Sequence, residues 1–277
     1  MSDIDNMLGG ISLDTIPLDI FDTYERLMVP AVFGPWAERL VETAELSPGD
    51  RVLDLACATG IVARVAASRV GEHGSVTGLD LMAGMLEVAR RVSQDIRPVI
   101  EWVEGNALEM PLPDGTFDVV LCQQGAQFFP DKVKAFKEAH RVLAKGGRLI
   151  VSVWGPMEQS PAVAALQRAV EHHTPEYAGF LPMAFGLSDT EELRGYLDMA
   201  GFADVSVRPD TLNVRFASIE EYLNTYLGST PLGGIISALP QERRAALGAE
   251  VAESLRDYAG DEGLTFSQET NVAFAVT

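Results

Sequence analysis

The chain has 277 residues, 47% of them hydrophobic and 22% charged. That length suits one large domain or a core with an attached cap, and the composition excludes a disordered hub, a collagen or a filament. The formal net charge of -19 and the isoelectric point near 4.5 repel nucleic-acid phosphates and acidic membranes, so neither is an expected partner.

The first twenty-five residues carry Asp3, Asp5, Asp14, Asp19, Asp22 and Glu25 and no Lys or Arg, the opposite of a secretory or transit-peptide start. No apolar run approaches the roughly 20 residues that span a bilayer. Cys57 and Cys122, each at the end of an expected strand, are too few for a disulfide framework. A cytoplasmic, reducing setting is the expectation.

After this acidic arm, residues 24–44 read as one or two short helices interrupted by Pro30 and by Gly34-Pro35. Residues 51–57 (RVLDLAC) form an apolar run with one acid, as in a strand buried on both faces, and a helix is predicted over 61–69. Strands follow over 75–79, 100–103, 117–122 and 148–153. Helices are predicted over 83–92 and 131–143, the second closed by Gly146-Gly147. This rhythm predicts an α/β fold with a doubly wound, mostly parallel sheet, its ligand site at the carboxyl ends of the strands.

Beyond Trp154 the rhythm changes. Helices are predicted over 162–173 and 190–200 and a strand over 205–208. Two further helices, over 218–226 and 241–258, flank a Gly/Pro-bearing loop at 228–234, and a last strand covers 272–276. The count is seven strands. The expected organisation is an N-terminal helical arm (1–45), a core (46–216 with 261–277) and a helical cap insertion (217–260).

The turn Asp54-Leu55-Ala56-Cys57-Ala58-Thr59-Gly60 is the first chemical signal. A dinucleotide fingerprint would place glycines at Ala56, Ala58 and Ile61, and all three fail. An acid followed by small residues at alternate positions, here Asp54, Ala56, Ala58 and Gly60, fits close backbone approach to a nucleoside ligand. Gly60 is free to take an unusual φ, whereas alanine is not expected to take left-handed torsions. An ordinary tight turn is the alternative. Asp80, ending the second strand, can accept two ribose hydroxyls or cap the next helix.

Further along come Glu104-Gly105-Asn106-Ala107, then Asp114-Gly115-Thr116-Phe117-Asp118, then Arg141-Val142-Leu143 with Gly146-Gly147. Together with the first turn, these motifs resemble class I S-adenosylmethionine-dependent methyltransferases, and within them the branch of the ubiquinone/menaquinone-biosynthesis methyltransferases (methyltransferase type 11-like). The resemblance implies a Rossmann-like methyltransferase fold with S-adenosylmethionine as cofactor and S-adenosylhomocysteine as product; no His/Cys/carboxylate cluster in the sequence shows metal-ligand spacing, so no metal is expected. It implies that Ala56 and Gly60 line the methionine and ribose part, that Asp80 holds the ribose, and that Leu81 and Met85 sandwich adenine. Asn106 and the Ala107 backbone would read the adenine edge, and Tyr24, Phe33 and Trp36 would fold over the cofactor. An aromatic set at helical spacing can equally be core.

Gln123 is expected beside the methionine portion, with Phe128, Gln124 and Gln127 nearer the transferred methyl. Three glutamines can also form a loop that satisfies itself. His173 or His172, but not both, could face the substrate, since adjacent residues on a helix point different ways. His140 reads as core and His73 as solvent. Tyr222 and Tyr226 mark an apolar cap suited to a small hydrophobic or aromatic acceptor, unless they form only the cap's own core or a dimer surface.

The expected reaction is in-line methyl transfer to oxygen or nitrogen of a secondary-metabolite-type acceptor, by a monomer or homodimer. It needs no catalytic residue, and none is named. The alternatives are carbon methylation of a quinone-like ring and a non-catalytic cofactor-binding protein.

Overall fold

A computed structural model describes residues 17–277; Asp3, Asp5 and Asp14 of the expected arm lie outside the described residues. Leu18–Thr23 (α1), a π-helical Tyr24–Phe33 and Gly34–Ala44 (α2) run on as one helical stretch. The expected break at Pro30 and Gly34-Pro35 is absent because the turn widens: Gly34 N–H donates to Val29 O, five residues back. The looser ladder accommodates a proline that cannot donate.

The core then alternates as the sequence implies. β1 (Arg51–Leu55), α3 (Ile61–Val70), β2 (Ser75–Asp80), α4 (Ala83–Val92), β3 (Glu101–Glu104), β4 (Phe117–Gln123), α5 (Lys132–Val142) and β5 (Leu143–Trp154) follow in order. Asp131 caps α5 by accepting from Lys134 N–H. One expectation fails here. Gly146-Gly147 does not close α5, which ends at Val142; the glycines lie inside an irregular start to β5, where the pairing shifts between Phe117 and Val119.

Next come α6 (Pro161–His173), α7 (Phe180–Ala184), α8 (Thr190–Ala200), β6 (Ala203–Phe216), α9 (Ile219–Gly228), α10 (Pro231–Ser237), α11 (Gln241–Ser254), β7 (Ala259–Gly260) and β8 (Gly263–Val276). The sheet order is β3-β2-β1-β4-β5-β8-β6, with the two-residue β7 added to β8. β1 to β5 are parallel, and β8 runs antiparallel between β5 and β6. The order reverses between β1 and β4, which puts the switch point, and the crevice it opens, above those two strands.

Neighbouring strand residues divide between the two faces. Leu53, Val120 and Leu149 pack with Phe136 of α5 and Leu193 of α8, whereas Val52, Val119 and Ile150 pack with Leu40 of α2 and Val62 of α3. Full burial of each such side chain contributes about 1.5–3 kcal/mol.

β6 and β8 run to 14 residues each, far beyond the expected 205–208 and 272–276. Their paired ends place Val214, Phe216, Leu264 and Phe266 under the helices that follow, in a third apolar cluster shared with Trp36, α6 and α9 to α11. The expected loop over 228–234 is partly helix, since Pro231 at the first turn starts α10. Among the described residues, no helix is long and apolar enough to cross a membrane.

Candidate functional site

Four turns at the carboxyl ends of the parallel strands meet at the switch point. After β1, Asp54 is buried and its Oδ2 accepts from Ala63 N–H at 2.9 Å, fixing the first turn of α3 from below. Gly60 caps α3 in the left-handed region (φ 82°), and a Cβ there would run into the Trp102 indole. Ala56 and Ala58 are also left-handed, at φ 57° and 49°. This overturns the expectation for alanine: the turn keeps a glycine-like backbone at about 1–2 kcal/mol per residue. The Ala56 methyl fills the space that a side chain at Gly125 would need.

After β2, both oxygens of Asp80 face the turns. Oδ2 accepts from Ala58 N–H at 2.8 Å and Oδ1 from Met82 N–H at 2.9 Å. Burial pushes its carboxyl above the ordinary carboxylate range, opposed by the amides of Met82, Ala58 and Leu81. Asp80 thus braces the two turns but does not cap α4, whose N-cap position is Met82 and carries no side-chain cap; each of its oxygens retains a lone pair beyond its one backbone partner.

Leu81 and Met85 line the same cavity, Leu81 at its exposed edge. Beyond β3, Asn106 Oδ1 accepts from Leu108 N–H at 2.9 Å and Ala107 is buried beside it. Arg141 holds the segment beyond: its guanidinium donates to Met110 O and Leu112 O and pairs with Glu138 and Asp114. The Arg-Val-Leu motif thus acts from a distance, by clamping the loop that carries Asn106.

After β4, Gln123 Nε2 donates to Phe33 O at 3.0 Å, tying the N-terminal helical stretch to the sheet. Its Oε1 is buried without a partner among the described residues, as is Nε2 of Gln124. Gln127 Nε2 reaches Gln124 Oε1 at 3.4 Å. Gln127 Oε1 is likewise without a partner, so the loop satisfies itself only in part and leaves two acceptors and one donor unused.

These turns enclose a cavity of ≈ 410 Å³. Of the expected site residues, Tyr24, Phe33, Ala56, Asp80, Leu81, Met85, Asn106, Ala107, Gln123, Gln124, Phe128 and Tyr226 line it. Gly60, Gln127, His173, Tyr222 and Trp36 are not among its lining residues. Gly60 is covered by Trp102. Gln127 turns back to Gln124. Tyr222 is fully buried, with its hydroxyl donating to Ala162 O at 2.8 Å, and Trp36 donates to Gln268 from the core. His173 and His172 both turn to Glu250.

The sequence reading missed part of the wall. Phe180, Leu181, Met183 and Phe185 come from α7 and its end, Trp154 from β5, and Gln268 from β8. An apolar stretch as short as α7 carries too little periodicity to be read as a helix, and Gln268 reaches the site only because β8 is so long. Rings of Tyr24, Phe33, Trp154 and Phe185 follow one another at 5.2, 6.0 and 6.1 Å between centroids.

Asp80 is the one charged side chain among the described lining residues, which include no His, Lys or Arg. Burial raises the Tyr24 hydroxyl well above its ordinary value, with Glu25 adding to the effect. Burial likewise brings Tyr226 up to about 12. Both phenols stay protonated near neutrality. The walls suit a cation better than an anion, since aromatic faces attract positive charge and no basic group is present to pair a phosphate.

Residues 53–151 match the family described as "Methyltransferase domain". That stretch of the chain is a methyltransferase domain. Over 130 residues it is 39% identical to the ubiquinone/menaquinone biosynthesis C-methyltransferase of Stenotrophomonas maltophilia, covering 46% of this chain and 51% of that one. Over 226 residues it is 29% identical to the demethylmenaquinone methyltransferase of Staphylococcus epidermidis, covering 75% and 91%. The chain thus spans about half the length of the first of these relatives.

The fold of the methyltransferase domain also matches phosphoethanolamine N-methyltransferase 2 of Haemonchus contortus, solved in complex with S-adenosyl-L-methionine. The TM-score is 0.62 at 18% identity, over 100% of this chain and 60% of that one. S-adenosylmethionine fits the residues of the cavity. A single carboxylate ends β2, aromatic faces surround the uncharged part, and the unpartnered Gln123 Oε1 offers an acceptor.

Proposed function

We propose that this protein transfers a methyl group from S-adenosylmethionine to a carbon of a small, electron-rich, quinol-like ring. The observation that carries the reading is the apolar, aromatic cavity at the switch point, with one carboxylate at its edge and unpartnered glutamine amides in its wall.

In this reading Asp80 accepts the ribose hydroxyls with the lone pairs its two backbone partners leave free. Leu81 and Met85 flank the adenine, and Asn106 with Ala107 meets its edge. Ala56, Tyr24, Phe33 and Gln123 surround the methionine part. Gln124, Phe128 and Tyr226 face the acceptor, and residues 217–260 act as the cap over it.

When bound, S-adenosylmethionine would supply an electrophilic methyl: the ring carbon would gain it as the sulfonium–methyl bond breaks, leaving S-adenosylhomocysteine, and the proton that this carbon then loses would pass to solvent. The chain's own residues align the two partners and exclude water, which contributes several kcal/mol as effective molarity. Among the described residues the cavity wall supplies no histidine or lysine as a base, which favours an acceptor that is already electron-rich over a neutral alcohol. Gln124 Nε2 can hold a ring oxygen beside the reacting carbon. The quinone names of the relatives support this carbon transfer over the oxygen or nitrogen transfer expected from sequence alone.

The test has two parts. Calorimetry with S-adenosylhomocysteine, using Asp80→Ala as control, is expected to give micromolar binding, about -8 kcal/mol, that the control abolishes. Incubation with a panel of hydroquinones and phenols, read by mass spectrometry and NMR, is expected to give ring-methylated product. Ether or amine products alone would overturn carbon transfer, and absence of cofactor binding would overturn the whole reading.

A further inference from the structure

The sequence shows no metal-ligand spacing, yet the fold gathers one. His172 and His173 end α6, and Glu250 sits on α11, 77 residues further along. His172 Nδ1 lies 2.8 Å and His173 Nε2 3.0 Å from the same oxygen, Glu250 Oε2. All three atoms fall within 4.8 Å of one another. Consecutive helical residues ordinarily point about 100° apart, but α6 stops at His173 and the chain turns away at Thr174 (φ -144°). The two rings are therefore able to stack, with centroids 4.5 Å apart.

We propose that His172, His173 and Glu250 form a three-ligand site for a zinc-class divalent cation, fastening α11 to α6. Two imidazole nitrogens and a carboxylate oxygen are the donors such an ion prefers. With metal–ligand bonds near ~2.0–2.1 Å, tetrahedral ligand atoms stand about 3.3 Å apart. The separations to Glu250 need open by only a few tenths of an ångström to admit the ion. Magnesium and calcium, which take oxygen ligands, are excluded by the two nitrogens. His173 is mostly buried and His172 is 70% exposed, which leaves the fourth position to water.

The proposed site stands apart from the cavity. None of its residues lines the cavity, but α6 carries Val163 and the segment between β6 and β8 carries Tyr226 and Pro231, all of which do. An ion here would pin two walls of the cavity to each other.

The test uses the full chain without a histidine tag, titrated separately with Zn²⁺ and Mg²⁺, and follows calorimetry and thermal unfolding. One Zn²⁺ per chain is expected, with a rise in unfolding temperature that Mg²⁺ does not give. Co²⁺ in its place should show the visible absorption of a tetrahedral site. The double variant His172→Ala with His173→Ala is expected to abolish both signals. Glu250→Gln keeps a hydrogen-bond acceptor for the histidines, yet should weaken zinc by more than the roughly 10–100-fold that loss of an outer-shell partner costs. No zinc response in the wild type, or an equal response in the variants, would overturn the proposal. Variants that only lower stability in metal-free buffer, with no zinc effect to lose, would mean a plain His–Glu contact and overturn it as well.

Discussion

Asp54→Asn isolates the cost of a buried acid beneath the cofactor turn. Asp54 is 1% exposed, and burial, with a smaller contribution from Asp80, raises its carboxyl from the ordinary 3.8 to about 7 against the pull of Ala63 N–H. Because the folded value lies above the unfolded one, the unfolded chain releases this proton first as pH rises. The stability that the neutral acid contributes is complete below about pH 4 and is lost as pH climbs toward 7, at about 1.4 kcal/mol per pH unit. From 3.8 to about 7 is roughly three pH units, hence up to about 4 kcal/mol. Asparagine cannot ionise and still offers an oxygen to Ala63 N–H. The stability of the variant relative to wild type should therefore grow steadily from about pH 4 to pH 7 and stay level above, whatever its offset at low pH. Urea unfolding at half-unit pH steps measures this directly. A difference that stays flat across the window would refute the assignment of a buried, proton-holding Asp54.

Three further outcomes follow from the same region. Gly60→Ala should cost about 2–5 kcal/mol in urea unfolding, roughly 1–2 for the left-handed torsion and roughly 1–3 for overpacking against Trp102; a loss below about 1 kcal/mol would show that the indole yields. Ala58→Gly should stabilise by up to about 1 kcal/mol, since relief of the left-handed strain exceeds the added freedom of the unfolded chain, and unchanged or lower stability would sink the strain argument; Ala56→Gly should gain less, because its methyl packs at Gly125. Tyr222→Phe removes a buried hydrogen bond to Ala162 and should lower stability by about 1 kcal/mol with acceptor KM unchanged, whereas Tyr226→Phe should raise acceptor KM. The reverse pattern in steady-state kinetics would exchange their roles.

The parallel half of the sheet was legible because most of its strands are continuous, buried apolar runs and its helices show apolar residues at helical spacing: both signals are local, and they place Asp54, Asp80 and Gln123 at strand ends without any long-range information. The long β6–β8 hairpin was not, because its outer residues alternate with exposed polar ones and look like loop until the partner strand is present. Gln268 shows the consequence. It is buried in the cavity wall because β8 continues, still paired with β6, past the end of its pairing with β5, so a reading of that stretch as loop misses this part of the wall.

The turn after β1 teaches the opposite lesson. Residue type argued against left-handed alanines, yet Cys57 N–H donating to Leu79 O and Gly60 N–H donating to Cys57 O, with Asp80 holding Ala58 N–H, impose the conformation from outside. A local preference of about 1–2 kcal/mol loses to three hydrogen bonds in a buried site, each of which costs about 1–3 kcal/mol to leave unmade. The geometry of this turn is therefore a property of β1, β2 and their connection together, and glycine at positions 56 and 58 is one way of reaching it, not the requirement.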